Sequence, residues 1–259
     1  LVTDPAQQTQ PDSRRAAARA AVAANPHWYH TIELAPGVLT PGQIDLRRTA
    51  PKLLPAQLSG RRALDVGTFD GFWAFELARR GATTVAVDVP SLDAAEWPPN
   101  QRAELVARMK AWDVELGRGF RLAAELLEPV PERIECSIYD LEPQTLGGAF
   151  DLVFVGALLV HLRDPVRALE RVHDVLEPGG ELIVLETFSI SDTLRSPRRP
   201  VAHFEPLVTQ FNWWHANLSA LKAWLWTAGF KDVKLTGLHR PPARRPTGGW
   251  HASLRARRA

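Results

Sequence analysis

A chain of 259 residues with 45% hydrophobic content is long enough for one large domain, or one domain with a small cap. Its charged fraction of 23% is that of an ordinary soluble globular protein, and a formal net charge of +2 leaves only the C-terminal end one-sided. That end carries His239, Arg240, Arg244, Arg245, Arg255, Arg257 and Arg258, and reads as a solvated edge and tail, with an RNA-facing patch as the alternative. The single cysteine, Cys136, excludes an intrachain disulfide and fits a reducing compartment. No apolar run approaches the roughly 20 residues that span a bilayer, and the polar first stretch lacks a signal-peptide core, so a cytoplasmic protein with no membrane partner is expected.

In chain order, the first dozen residues are polar, with Pro5 and Pro11, and are expected to be loosely ordered. A short Ala/Arg helix is expected over 13–24, then the aromatic segment containing Trp28, Tyr29 and His30. Pro36-Gly37 and Pro41-Gly42 mark turns after that segment. Residues 1–54 thus read as an N-terminal tail and active-site cap, and 55–259 as the main domain, with an insertion at about 91–118. Strands are expected at 63–66, 83–87, 134–138, 152–155, 181–185, 233–238 and 251–254. Helices are expected at 71–80, 100–117, 120–127, 165–176 and 217–228, the last with Asn217 as N-cap and Gly229 as its stop. This alternation predicts an α/β, Rossmann-like, doubly wound, mostly parallel seven-stranded sheet. Ligands in such sheets bind outside the carboxyl ends of the strands.

The first loop at such an end is Asp65-Val66-Gly67-Thr68-Phe69-Asp70-Gly71. Gly67 allows a tight turn and close approach of a ligand; Asp70 is placed to cap the next helix. Alone this is equally a plain strand-turn-helix corner. Asp88, about 20 residues on at the end of the next strand, stands at the spacing of a ribose-binding acid. A dinucleotide fingerprint would put glycines where Phe69 and Phe72 stand, so a pyrophosphate is disfavoured. A sulfonium cofactor with an amino group suits Asp65 and Asp70 better.

Leu64-Asp65-Val66-Gly67, Asp88, Phe150-Asp151-Leu152-Val153-Phe154 and Val175-Leu176-Glu177-Pro178-Gly179-Gly180, in that order and spacing, resemble the motifs of class I S-adenosyl-L-methionine (SAM)-dependent methyltransferases over roughly residues 55–258. The resemblance implies SAM as cofactor, held by the loop from Asp65 to Gly71. Within it Gly67, Thr68 and Phe69 would line the methionine side. Asp88 would hold the ribose, Val89 would flank the adenine, and Tyr139, Asp140 and Leu141 would border it, with Asp140 on the adenine amino group. Gly156, at the end of the fourth strand, completes the cofactor set. A narrower resemblance, carried by Leu159-Val160-His161-Leu162-Arg163-Asp164-Pro165, Leu185-Glu186-Thr187 and Ala228-Gly229-Phe230, is to the tRNA wobble-uridine carboxymethyltransferases, which use carboxy-SAM. Here Val160 stands in place of that family's tyrosine, its lysines have no counterpart in recognisable context, and His251 falls near its C-terminal arginine. These departures favour ordinary SAM.

Methyl transfer to a hydroxyl or amine needs an aligned acceptor and a proton acceptor. His161, just after the fourth strand, is the candidate base; capping of the next helix is its structural alternative. Trp28, Tyr29, His30, Glu186, Trp213, Trp214 and His215 are candidate substrate contacts, with His203 beside them. Packing of the last helix is the alternative for the tryptophans. No metal is expected, because the fourth strand ends in Gly156-Ala157-Leu158-Leu159 rather than clustered carboxylates. The leading expectation is a SAM-dependent methyltransferase acting on oxygen or nitrogen of a small molecule, possibly in natural-product biosynthesis. A tRNA wobble-uridine-type RNA methyltransferase and a non-catalytic SAM-binding protein are the alternatives.

Overall fold

In the computed structural model, the structure describes residues 5–206, 212–244 and 249–259, with side chains of the first helix from Asp12 onward. Arg245 lies outside the described residues. Helix α1 (Pro5–Ala24) begins well before the expected residue 13, so the Pro-containing start is helical rather than loose. A small hairpin comes next, β1 (Glu33–Ala35) and β2 (Val38–Leu39), then the one-turn helix α2 (Ala50–Leu53).

The alternating part comprises β3 (Arg62–Val66), α3 (Phe72–Arg79), β4 (Thr83–Asp88), α4 (Arg102–Ala111), α5 (Arg118–Ala124), β5 (Glu132–Glu135), β6 (Phe150–Gly156), α6 (Pro165–Val175) and β7 (Leu176–Thr187). Then come α7 (Ile190–Arg195), the hairpin β8 (Ala202–Phe204) and β9 (Trp214–Ala216), α8 (Leu218–Thr227), β10 (Lys231–His239) and β11 (His251–Arg257). The helix expected over 100–117 stops at Ala111, where Asp113 turns left-handed (φ 55°). The strand expected at 134–138 is Glu132–Glu135, and 138–140 is a 3-10 turn.

The seven-stranded sheet has the order β10-β11-β7-β6-β3-β4-β5. The strands from β7 to β5 are parallel; β11 is antiparallel to both its neighbours. Successive residues of the central strands are buried on both faces, as parallel strands covered by helices require. Leu64, Val66, Val153 and Val155 face one core with α6 and α8; Ala63, Leu152 and Phe154 face the other with α3, α5 and the N-terminal cap. Asp164 caps α6 by accepting from the Arg167 amide at 3.0 Å, Pro165 fits its first turn, and Ala168, Leu169, Val172 and Val175 form its buried stripe. Asn217 caps α8 as expected, accepting from the Ala220 amide at 2.8 Å.

The strand order reverses between β3 and β6, so the loops leaving those two strands form the crevice of the fold. Three other segments reach that edge. Residues 29–44 lie over it through a bridge between His30 and Ile44, and Ile44 bridges in turn to Ala243 beyond β10. The β8–β9 hairpin arrives from the β7 side, and the chain after β4 crosses from the other. No described helix is long and apolar enough to cross a membrane.

Candidate active site

The β3–α3 corner is shaped by left-handed backbone at Gly67 (φ 75°), Phe69 (φ 49°) and Gly71 (φ 89°). At Gly67 a Cβ would lie 2.9 Å from Leu158 Cδ2, so the turn needs glycine both for its conformation and for the approach of the β6 loop. Phe69 has no such freedom and is held by Asp88. The Asp88 carboxylate accepts from the Phe69 amide and from the Val89 amide, each at 2.8 Å. Burial raises the Asp88 pKa, opposed by those two amides and by Arg133. The predicted ribose acid therefore also ties the first loop to the second.

Asp65 is 1% exposed, and burial pushes its carboxyl up to about 7 against the pull of nearby Thr68, His30 and the Ala74 amide. The Thr68 hydroxyl lies toward it without completing a hydrogen bond. Among the described residues, neither Asp65 Oδ2 nor Thr68 Oγ1 has a hydrogen-bond partner. Two such buried orphans at one strand end are costly unless a ligand completes them.

Asp70 is placed differently from expectation. α3 starts at Gly71 with no side-chain cap, and the Asp70 carboxylate accepts from the Tyr29 amide at 3.0 Å, the His30 amide at 2.7 Å and the His30 ring Nδ1. Asp70, 1% exposed, thus tethers the N-terminal cap instead of capping α3. The same tether decides where the aromatic candidates sit. Trp28 is 1% exposed, donates its indole N–H to Val22 O at 3.2 Å and packs against Gly119, so it is core and not a substrate contact. His30 is buried and stacked on Phe72, with ring centroids 5.3 Å apart. Tyr29 is half-buried, edge-on to Phe69 at 5.8 Å, and its hydroxyl is pushed up to about 12 by burial, with Glu186 and Asp70 adding to the shift. Of the three, Tyr29 remains at the crevice.

Glu186 also departs from its expected role. It is fully buried, and burial pushes its carboxyl up to about 7. Its oxygens accept from the Leu159 amide and the Thr187 amide, each at 2.8 Å. Glu186 thus holds the turn leaving β6 from a fully buried position. That turn begins with Gly156, whose Cβ would lie 2.8 Å from Phe154 Cε1, and with left-handed Ala157 (φ 48°). It ends in a 3-10 helix over Leu159–His161, on which His161 is exposed.

On the adenine side, Val89 is half-buried and Asp140 exposed, whereas Leu141 is turned into the core. Tyr139 donates its hydroxyl to Glu96 Oε2 at 2.7 Å, and burial, with that bond next, raises its pKa. Glu96 also accepts from the Arg163 amide at 2.7 Å, and its carbonyl accepts from the Trp213 indole at 2.8 Å. Trp213 is buried, Trp214 donates to Arg163 O at 3.0 Å, and His215 pairs in register with His203. His203 in turn contacts Asp192 Oδ2 at 3.0 Å. Sequence reasoning missed Glu96, because a lone acid in the loop Ala95-Glu96-Trp97-Pro98 carries no local signal for contacts so distant in sequence. Among the described residues, no three His, Cys, Asp or Glu side chains are grouped to hold a metal.

Residues 43–235 match the model of a family described as "Methyltransferase domain". The chain belongs to this methyltransferase family. The family's methyl donor is SAM. Among curated relatives, the chain is similar to the tRNA U34 carboxymethyltransferase of Azotobacter vinelandii (29% identity, covering 73% of this chain and 50% of that protein). It is also similar to that of Chromohalobacter salexigens (30%, covering 73% and 49%). The chain spans about half the length of the curated relatives it matches. Among solved structures, a SAM-dependent methyltransferase from Mesorhizobium loti aligns with a TM-score of 0.51 at 16% identity, covering 82% of this chain and 97% of that one. Another, from Methanosarcina mazei, aligns with a TM-score of 0.51 at 17% identity, covering 83% and 99%. These two share the fold.

The residues present fit the family's donor. SAM carries an ammonium group, and Asp65 offers a buried carboxylate oxygen with no partner at the strand end. Asp88 sits at the end of the next strand with its carboxylate fixed by two amides.

Proposed function

We propose that this methyltransferase acts on an oxygen or nitrogen of a small molecule, with ordinary SAM as donor. The observation that carries the proposal is the double covering of the crevice. The cap is tied down by Asp70 on one side, and the tryptophan-bearing hairpin is tied to the β6 turn on the other. Tyr29 on the cap and Trp213 and Trp214 on the hairpin would offer an acceptor aromatic surface, as suits a compact, partly planar molecule.

SAM when bound supplies an activated methyl group; the rest falls to the chain. Asp65 and Thr68 would hold the amino-acid end, Asp88 the ribose, and Val89, Tyr139 and Asp140 would border the adenine. Gly67 and Gly156 let Leu158, and Phe154 with Trp73, pack against the two loops that would hold the cofactor. Tyr29 would orient the acceptor. Like any phenol it is protonated at neutral pH, and burial, which raises its pKa to about 12, opposes ionisation further, so it would donate a hydrogen bond rather than accept a proton. His161, exposed on the turn after β6, would take the acceptor's proton.

The test is transfer of labelled methyl from SAM to a panel of phenols, hydroxy acids and amines, with unmodified tRNA in parallel. Turnover on a small acceptor, lost at least about 100-fold in His161→Ala at saturating substrate, supports the reading and the base assignment together. Full turnover in His161→Ala removes the base role alone. The tRNA reading is favoured by the relatives over 73% of the chain. Under it, acceptor binding would weaken steeply with salt as phosphate contacts release counterions, whereas a small neutral acceptor gives a flat response. Tight SAM binding with no turnover on any acceptor would instead favour a non-catalytic SAM-binding protein.

A further inference from the structure

The chain leaving β4 runs from Asp88 to Glu96 and there meets three other segments. Glu96 Oε2 accepts both the Tyr139 hydroxyl and the Arg163 amide, each at 2.7 Å. The Glu96 carbonyl accepts the Trp213 indole at 2.8 Å. The partners are themselves cross-linked. The Tyr139 hydroxyl accepts from the Asp164 amide at 3.2 Å, the Trp213 amide donates to Val160 O at 2.7 Å, and the Trp214 indole donates to Arg163 O at 3.0 Å. One residue therefore joins the β4 loop, the 3-10 turn after β5, the turn after β6 that carries His161, and the β8–β9 hairpin.

We propose that Glu96 is a positioning residue that locks the adenine wall of the cofactor site to the acceptor wall, its side chain holding Tyr139 and the Arg163 turn and its carbonyl holding the Trp213 hairpin, so that cofactor dwell time depends on one residue. The inference rests on the reading of the crevice as a SAM site. Three of the four joined segments lie at carboxyl ends of sheet strands, β4, β5 and β6, and the hairpin closes over the fourth side. A cofactor bound against Asp88 and Tyr139 would sit beneath the β4 loop, and its departure would require that loop to lift. Lifting it breaks the Tyr139, Arg163 and Trp213 bonds together, which makes release cooperative with loosening of the acceptor wall.

The lock acts through hydrogen-bond acceptance and not through charge. The ion pair between Glu96 and the Arg163 guanidinium spans 3.9 Å with the arginine side chain 65% exposed, a geometry that contributes little in water. Both side-chain bonds fall on the same oxygen, so a carboxamide oxygen at that place keeps both. Glu96→Gln should therefore preserve the lock and Glu96→Ala should remove its side-chain half, leaving the Tyr139 hydroxyl without its acceptor and the Arg163 amide without a partner.

The experiment combines two readouts on the full chain. Stopped-flow displacement measures S-adenosylhomocysteine release, and hydrogen exchange of 159–164 and 212–216 is followed with and without that ligand. Release is expected about tenfold faster in Glu96→Ala and within about threefold of wild type in Glu96→Gln. Exchange at 159–164 should rise in Glu96→Ala even without ligand, whereas 212–216, still bonded to the carbonyl of residue 96, should change less. Trp213→Phe keeps the side-chain bonds of Glu96 and deletes only the indole bond; it should free 212–216 while leaving 159–164 protected, which keeps the test open if Glu96→Ala fails to fold. Wild-type exchange and release in Glu96→Ala, or equal losses in the alanine and glutamine variants, would overturn the proposal. Failure of the wild type to bind S-adenosylhomocysteine would overturn the SAM-site reading instead, while the ligand-free exchange still judges the lock.

Discussion

Asp65 on one side of the crevice and Glu186 on the other are buried acids treated in opposite ways. On the β3 side, Asp65 is buried with one oxygen unpaired beside an unpaired Thr68 hydroxyl. On the β6–β7 side, Glu186 is just as buried, yet backbone amides satisfy its oxygens; Asp70 is likewise filled by the cap. A buried polar group with no partner costs stability, and one with partners repays it. We therefore propose the unpaired acid as the place for a ligand and the paired acids as the scaffold around it.

The sharpest way to break this contrast is to neutralise each acid in turn. Asp65→Asn should weaken S-adenosylhomocysteine binding by about 100-fold, since a buried charge-assisted contact is lost, as titration calorimetry would record. The same variant should melt no lower than wild type at pH 8, because the free chain no longer carries an unpaired buried anion. That advantage should shrink toward pH 5, where wild-type Asp65 is already protonated. Glu186→Ala should do the reverse. It should cost about 2–3 kcal/mol in denaturant unfolding, through the stranded Leu159 and Thr187 amides, and affect cofactor affinity only through the β6 turn. If Asp65→Asn destabilises and Glu186→Ala does not, the contrast is wrong.

A smaller effect sharpens it. In the free chain the Asp65 carboxyl is raised to about 7, and binding an ammonium requires its ionised form. Affinity for S-adenosylhomocysteine should therefore be flat above about pH 8 and fall by up to about tenfold for each unit below 7. In Asp65→Asn that slope should vanish. A wild-type profile that is flat from pH 6 to 8 would show that Asp65 does not meet the ammonium.

The sheet and the glycine corner after β3 were legible because their signals are local. Apolar runs such as Leu152 to Val155, glycine at 67 and the spacing to Asp88 are set by neighbours along the chain. What escaped was made by contacts remote in sequence. A strand-ending glutamate looks solvent-facing, and only the folded chain brings the Leu159 amide to Glu186. Asp70 stands where a helix cap belongs, but the Tyr29 and His30 amides, about 40 residues away, claim it. Trp28 has the composition of an aromatic mouth and the burial of a core. The three-residue strands of the β8–β9 hairpin are too short to produce an alternation, so Trp214 and His215 were named as candidate contacts without the hairpin that carries them.

The two rims of the central sheet carry one more consequence. β5 ends one side after four residues, and β10 ends the other with register shifts at Lys231/Lys234 and Leu235/Gly237. A truncated border and a kinked, lysine-bearing one are both poor templates for a foreign strand. The chain thus guards itself against fibril-like stacking at its margins, leaving the middle of the sheet free to keep the long, apolar strands that its crevice is built upon.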